Sequence, residues 1–303
     1  EELSHIQVNN KEFRSSGDLR DYISDPGTVI SRLEQTEGVT DVTGRIIVRG
    51  MASTSAGSSP VEITGINIEK ELEMFTLSRR LIPGTGSYFG ANTRLNSVFI
   101  GEKLARELNI IRYILTPEAF QRLTNEGVPA TVTEKLREIE GERFSTEKTL
   151  TKTMGGLLSP KEMKRYGLMI REAAWSYREG SKLILSFLDA DNHQTGAAFR
   201  ISGIYRTNND LFEALSVFVP EAELRELTGL NEGQYHRIIA RLSDYDLTGR
   251  VTPVIREALP GLEVLSWKEI QTDLAMITDY INQIYGIFML IILAALAFGI
   301  VNT

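Results

Sequence analysis

Arg237 to Leu265 reads RIIARLSDYDLTGRVTPVIREALPGLEVL. The apolar run Arg237–Leu242 is rich in β-branched residues and predicts a strand. Leu247 to Leu259 recurs at helical spacing and predicts a helix, with Pro253 to be accommodated in its early turns. Pro260-Gly261 breaks that helix, and Leu262 to Leu265 predicts a second strand. The stretch is a β-α-β unit, and the chain around it reads as α+β. A weaker echo lies near the start, where Val29 to Leu33 forms a helical patch ending toward Glu37-Gly38. A strand follows at Val42 to Arg49. Two such halves can pack side by side as one module.

Further strands are expected at Val61 to Ile68, Ser97 to Ile100, Lys182 to Leu188, Ala198 to Tyr205 and Leu215 to Val219. The polar turn Asp189-Ala190-Asp191-Asn192-His193 makes a hairpin of the third and fourth. Helices are expected at Glu102 to Leu108 and, started by Pro220, at Glu221 to Leu227. Between Ile111 and Arg178 helical patterns dominate: Pro117 to Leu123, Val132 to Ile139 and Lys161 to Tyr177. The expected organisation is a discontinuous α/β core at 1–110 and 179–265, an inserted and mainly helical subdomain at 111–178, and a C-terminal helix at 266–303.

That last helix is predicted to begin in water and end in lipid. Ser266 and Glu269 have capping-box spacing. Ile270, Leu274, Ile277, Ile281 and Ile284 recur at helical spacing. From Tyr280 to Thr303 no side chain is charged. A bilayer core ~30 Å thick is spanned by about 20 such residues. The expectation is a stalk continuing into a transmembrane helix over about 281–303. The opening Glu1-Glu2-Leu3-Ser4, with no start methionine and no basic-then-apolar leader, is expected to belong to a longer protein.

The 303 residues carry 33 basic and 40 acidic side chains, a net charge of −7, and no cysteine. The balance is wrong for a nucleic-acid binder. Without cysteine there is no disulfide, thiol catalysis or thiolate metal site. No phosphate loop, H-E-x-x-H or G-x-S-x-G occurs. Asp189-Ala190-Asp191-Asn192 resembles the start of a calcium loop, but Gln194 stands where that loop needs Gly and Arg200 where it needs Glu. Gly84-Thr85-Gly86-Ser87-Tyr88-Phe89-Gly90 reads as a mobile surface loop. Ser181 and Lys182 are adjacent in a strand and face opposite ways, so they form no dyad. His5, His193 and His236 fall in different elements and read as surface histidines. Met154, Leu157, Leu158, Met163, Leu168 and Met169 are candidates for an exposed apolar patch or, more simply, helix core. The sequence therefore nominates no catalytic, cofactor or metal residue.

The order of short motifs carries a resemblance. Gly65-Ile66-Asn67-Ile68-Glu69 is followed by Arg80-Leu81 and the glycine loop. Then come Val98-Phe99-Ile100-Gly101-Glu102-Lys103-Leu104-Ala105, Phe199-Arg200-Ile201-Ser202-Gly203-Ile204-Tyr205 and Val217-Phe218-Val219-Pro220. Val264-Leu265-Ser266-Trp267-Lys268-Glu269 and Phe298-Gly299-Ile300-Val301-Asn302-Thr303 close the series. The series resembles the extracytoplasmic domain of MacB/LolCDE/FtsX-type ABC transporter permeases, with Ser4-His5-Ile6-Gln7-Val8 similar to the strand that follows their first membrane helix. The intervening residues 111–178 depart from the simplest pattern.

The resemblance implies a permease subunit in the bacterial inner membrane, with the bulk of the chain periplasmic or extracytoplasmic. ATP hydrolysis would belong to a separate ABC ATP-binding subunit, so no enzyme activity is expected here. A second permease copy or paralogue, membrane lipid, and a lipoprotein or periplasmic adaptor are the implied partners. Lipoprotein or lipid trafficking and efflux are the implied tasks, performed by mechanotransmission. A membrane-anchored extracytoplasmic sensor or binding domain is the alternative. A membrane-tethered enzyme is a third reading, for which no motif speaks.

Overall fold

The structure, a computed structural model, describes residues 5–90 and 96–270. The strands are β1 (Ile6–Asn9), β2 (Val39–Ser53), β3 (Ser58–Ile66), β4 (Asn96–Gly101), β5 (Ile111–Ile114), β6 (Arg143–Phe144), β7 (Trp175–Tyr177), β8 (Lys182–Leu188), β9 (Gln194–Tyr205), β10 (Ser216–Pro220), β11 (Arg237–Leu242) and β12 (Glu263–Ser266). The helices are α1 (Phe13–Ser16), α2 (Pro26–Glu34), α3 (Ile68–Met74), α4 (Glu102–Glu107), α5 (Pro117–Asn125), α6 (Ala130–Leu136), α7 (Glu147–Leu157), α8 (Pro160–Ala174), α9 (Asp210–Leu215), α10 (Glu221–Thr228), α11 (Thr248–Ala258) and α12 (Trp267–Ile270). The chain forms two compact units. The described part of the first comprises 5–47, 69–75 and 231–270; the second comprises 48–68 and 76–230 without the undescribed 91–95. The division differs from the expected one, because the 1–110 and 179–265 segments are shared between both units and 111–178 lies wholly in the second.

In the first unit the strand order is β12-β1-β11-β2, with every neighbouring pair antiparallel. The two β-α-β halves are therefore interleaved. β1-α2-β2 straddles β11, and β11-α11-β12 straddles β1. This is the split β-α-β arrangement of ferredoxin-like folds. The interleaving follows from burial. Ile6, Val8, Val42, Ile238, Ala240, Leu242 and Val264 point to one face, where Val29 and Leu33 of α2 and Val251 and Ile255 of α11 complete the core. Asp25 caps α2 by accepting from Thr28 N at 3.1 Å, and Pro26 takes the first turn. Pro253 sits on the exposed side of α11, so its ring displaces no core side chain, although it removes one backbone bond and crowds the carbonyl four residues earlier.

On the other face of this sheet, α3 is held to β2 by a buried bidentate pair. Arg45 donates Nε and Nη2 to the two oxygens of Glu71 at 2.7 and 2.8 Å. The guanidinium also lies 5.1 Å from the Phe75 ring centre.

In the second unit, β2-β3-β10-β4-β9-β8 closes on itself, because β8 returns to β2 in the register Gly50↔Phe187 to Ser53↔Ile184. Closure leaves these six strands without a free edge. Alternation fills the interior: Leu183, Leu185 and Phe187 of β8 are buried, as are Phe199 and Ile201 of β9 and Val98 and Ile100 of β4. Phe99 points the other way, into an outer aromatic cluster with Tyr205 and Phe218.

Residues 111–177 add four helices and a three-stranded sheet, β6-β5-β7, whose strands the sequence reading did not include. Leu115, Leu123, Leu136, Leu150, Met154 and Ile170 lie at the centre of a core confined to this stretch. Thr116, Thr146 and Ser159 cap α5, α7 and α8, the last in a full capping box with Glu162. Gly155 and Gly156 lie inside α7 with nothing within 4 Å of an added Cβ. Replacing both by alanine is expected to stabilise the protein by about 1 kcal/mol or more, read as a higher unfolding temperature.

Ser266 opens α12 as expected. Its N and Oγ each bond Glu269 Oε2 at 2.8 Å, and Glu269 N returns a bond to Ser266 Oγ at 3.4 Å. The stalk and span expected beyond it, from Gln271 on, lie outside the described residues. Among the described residues no helix is long and apolar enough to cross a membrane.

Candidate functional site

The residues singled out from sequence are dispersed. Asp189 Oδ1 accepts from Asp191 N and His193 N, each at 2.9 Å, so the acidic run is a hairpin turn. Ser181 Oγ donates to Arg178 O at 2.7 Å. The glycine loop lies at the surface, as expected, but it is anchored. Thr85 is buried, donates to Ile82 O at 2.7 Å and accepts from Ile204 N at 3.2 Å. Gly86 has φ +111, and a Cβ there would stand 2.1 Å from Ser202 O. The loop is thereby pinned to β9.

His236 is also misjudged as a surface residue, being wholly buried in the first unit. Nδ1 accepts from Ile47 N at 3.1 Å, which leaves Nε2–H to donate to Leu19 O at 3.0 Å. The ring stacks on Phe13 at 4.3 Å between centroids. Burial holds the imidazole neutral and lowers its pKa to about 4. The unfolded chain takes up this proton near the ordinary pH 6.5, and the folded chain only near 4. The first unit should therefore lose stability as pH falls from 6.5 to 4, by up to ~1.4 kcal/mol per pH unit. His236→Leu should flatten that slope in urea unfolding titrations; an unchanged slope would assign it elsewhere.

The motif Gly101-Glu102 marks a dense polar cluster of the second unit. Glu102 opens α4 with its side chain buried. One carboxylate gathers three donors: the Tyr177 hydroxyl, Arg206 through Nε and Nη2, and Arg106 Nη2 at 2.8 Å. Burial alone would raise its pKa. The hydrogen bonds from Arg206, Tyr177 and Arg106 outweigh it and hold the carboxyl at about 2. Burial, reinforced by the Glu102 charge, pushes the Tyr177 hydroxyl up to about 12. This cluster ties β7, at the end of the 111–177 stretch, to α4 and to the residue following β9.

An open groove of about 280 Å³ lies beside it. Tyr113, Leu168 and Trp175 supply the apolar walls; Arg106, Arg171, Glu147 and Glu172 supply charge. Arg106 lies 5.1 Å over the Trp175 ring. Leu168, Arg171, Glu172 and Trp175 follow the i, i+3, i+4, i+7 rule for one helix face, the signal by which sequence alone could have found the groove. Of the six apolar candidates named from sequence, Met154 and Leu158 are core, Leu157, Met163 and Met169 pack against it, and Leu168 is 60% exposed. Among the described residues no cluster of three or more His, Asp or Glu is arranged to hold a metal ion.

No protein-family model matches the chain, and no curated protein matches its sequence. Among solved structures the chain is similar to the extracellular domain of the noncanonic ABC-type transporter YknZ from Gram-positive bacteria. There the identity is 12% and the TM-score 0.40, over 87% of this chain and 100% of that one. It is similar to the periplasmic region of MacB from Actinobacillus actinomycetemcomitans at 11% identity and TM-score 0.36, over 89% and 92% of the two chains. It is also similar to a domain of a permease protein from Porphyromonas gingivalis at 11% identity and TM-score 0.31, over 77% and 78%.

Proposed function

We propose that the chain is the extracytoplasmic domain of a permease subunit of an ABC transporter. One observation carries this reading: the two ends of the first unit leave it side by side. Ile6 pairs with Ser266 across antiparallel β1 and β12, and Trp267 N donates to His5 O at 2.9 Å. A domain built this way hangs from one face of a membrane when membrane segments precede β1 and follow β12. The uncharged run Tyr280–Thr303 supplies such a segment after β12. The ordered motifs support the same reading. Gly86, Gly101 and Glu102 each meet a requirement of the fold rather than a chance spelling.

The mechanism we propose is mechanotransmission. A helix launched from β12 by the Ser266–Glu269 box and stiffened by Arg256, which bonds both Glu269 oxygens at 3.0 and 3.1 Å, transmits displacement of a membrane segment to the first unit. ATP would be hydrolysed on a separate ATP-binding subunit. A second permease copy or paralogue would complete the pair, with lipoprotein, lipid or an effluxed compound as cargo. Purification of the full-length membrane protein in mild detergent tests this. An ABC-type ATP-binding subunit is expected to copurify in stoichiometric amount and to hydrolyse ATP; a preparation without one, from cells expressing the whole operon, contradicts the reading.

A further inference from the structure

We propose that the outward face of strands β2, β8 and β9 is the surface by which two copies of this chain pair. Strand register builds the face. Met51 lies opposite Ser186, which has Gly196 on its other side, and Ala198 lies opposite Ile184. Residues paired across antiparallel strands point the same way, as do residues two apart, so Ile184 and Leu188 flank Ser186 on that face. Met51, Ile184 and Leu188 are 38, 46 and 53% exposed. The inward residues Leu183, Leu185 and Phe187 already fill the core. Apolar side chains grouped on the wet side of a closed sheet mark an interaction surface. Its centre is shallow, because Ser186 is small and a Cβ at Gly196 would stand 2.6 Å from Leu185 O.

The two ends of the face carry opposite charge. At one end Lys182 and Arg200 are cross-strand partners, and both are exposed. Like charges placed directly opposite destabilise a sheet unless another group offsets them. The nearby Glu179 is committed to Arg112 at 3.6 Å. At the other end, ~20 Å along the strand, the hairpin turn carries Asp189 and Asp191. The side chains of Lys182 and Asp191 have no partner among the described residues. Arg49 of β2 is also exposed toward the turn end.

This pattern is complementary to itself, which selects a second copy as the occupant. A two-fold axis running across the strands above Ser186 brings two such faces together with their strands antiparallel and the sheets ~10 Å apart. Ile184 of one copy then lies over Leu188 of the other, and Met51 over Met51. Lys182 and Arg200 lie over the turn that carries Asp189 and Asp191, so each like-charge pair meets the opposite sign. Arg49 comes over the uncharged Ser53. Three apolar side chains per copy support only a weak dimer in dilute solution. Two chains held in one membrane assembly need no more, because tethering raises their effective concentration to about the mM range. For that tethering the contact rests on the paired copies of the proposed function.

The test uses the full-length protein in its membrane, with one cysteine placed among 303 residues that have none. Ser186→Cys stands on the axis and is treated with bis-maleimidoethane. Leu211→Cys, at a more exposed side chain, controls for random collision. Ser186→Cys is expected to form a cross-linked homodimer about fivefold or more faster than Leu211→Cys. Adding Lys182→Glu to Ser186→Cys should slow cross-linking by about fivefold, and adding Asp191→Lys as well should restore it, since the reversed charges again meet their opposites. Unchanged melting of these surface variants would show that the fold is intact. Cross-linking of Ser186→Cys no faster than that of Leu211→Cys, cross-linking only to a different polypeptide, indifference to Lys182→Glu, or no restoration by Asp191→Lys would overturn the contact. Copurification of an ATP-binding subunit is scored on the same membranes. A subunit without the cross-link sinks the contact alone, and the cross-link without a subunit sinks the permease reading alone.

Discussion

Replacing Gly101 by alanine is expected to destabilise the second unit by about 3 kcal/mol, near the upper end for an overpacked core. The magnitude follows from what the new methyl meets. A Cβ at Gly101 would stand 2.2 Å from the Glu213 carbonyl oxygen, 2.5 Å from its Cα and 2.7 Å from its carbonyl carbon. These are backbone atoms of α9, so no side-chain rotation relieves the clash. α9 is fixed in turn, because Asn209 caps it through Phe212 N at 3.0 Å and Glu213 accepts from the backbone and hydroxyl of Thr207. The helix must shift, and the aromatic packing of Phe212 on Tyr205 and Phe218 shifts with it. For a unit of this size the loss corresponds to roughly 6–12 °C in melting temperature. Gly57→Ala, with open space around it, is the control and should melt within a degree or so of the parent. Equal melting of the two variants would refute the close approach.

Glu102→Ala is expected to cost about 2–3 kcal/mol, less than the usual figure for a broken buried pair. The discount comes from the arginines. Arg106 and Arg206 are each more than half exposed and regain water when the carboxylate goes. Tyr177, 4% exposed, does not: its hydroxyl still accepts from Arg106 Nε at 3.0 Å but its proton loses its acceptor, which accounts for much of the loss. Tyr177→Phe should accordingly cost less, about 1 kcal/mol, since Glu102 keeps both arginines. Hydrogen exchange should place the damage of Glu102→Ala around β7 and α4. The pH window differs from that of His236. Glu102 stays charged in the fold down to about pH 2, whereas the unfolded chain protonates it near 4.5. Its contribution is full above 4.5 and fades as pH falls toward 2. Acid should therefore weaken the first unit through His236 before it weakens the second through Glu102. A reversed order of unfolding, followed by exchange between pH 7 and 3, would contradict both assignments.

Much of the first unit was readable in the amino-acid order. The period change from Arg237–Leu242 to Leu247–Leu259 and back marks β11, α11 and β12 within a residue or two. The pairing was not readable. β1 and β11 are adjacent though separated by more than two hundred residues, and periodicity carries no information about such neighbours. The closed sheet escaped for a related reason. β2 is buried without alternation from Val42 to Val48, so its pattern does not say which strands flank it. At Gly84–Gly90 composition gave no sign of the anchor. There one hydroxyl, that of Thr85, bonds β9 and makes the loop part of the packing. His236 directly precedes β11, and its partners Leu19 and Ile47 reach it from far along the chain. The motif Gly101-Glu102 was legible as a spelling, while its reason, a close approach and a three-donor carboxylate, needed the structure.

If the chain is a permease's extracytoplasmic domain, as proposed, both units lie outside the cytoplasm and the chain crosses the membrane after β12. Cysteine accessibility tests this most directly, because these 303 residues contain no cysteine to blur the reading. Leu211→Cys, at a side chain 68% exposed, and Thr303→Cys, at the far end of the uncharged run, are labelled separately with a membrane-impermeant maleimide in intact spheroplasts. Leu211→Cys is expected to label at once and Thr303→Cys only after lysis. Protection of Leu211→Cys until lysis would contradict that placement.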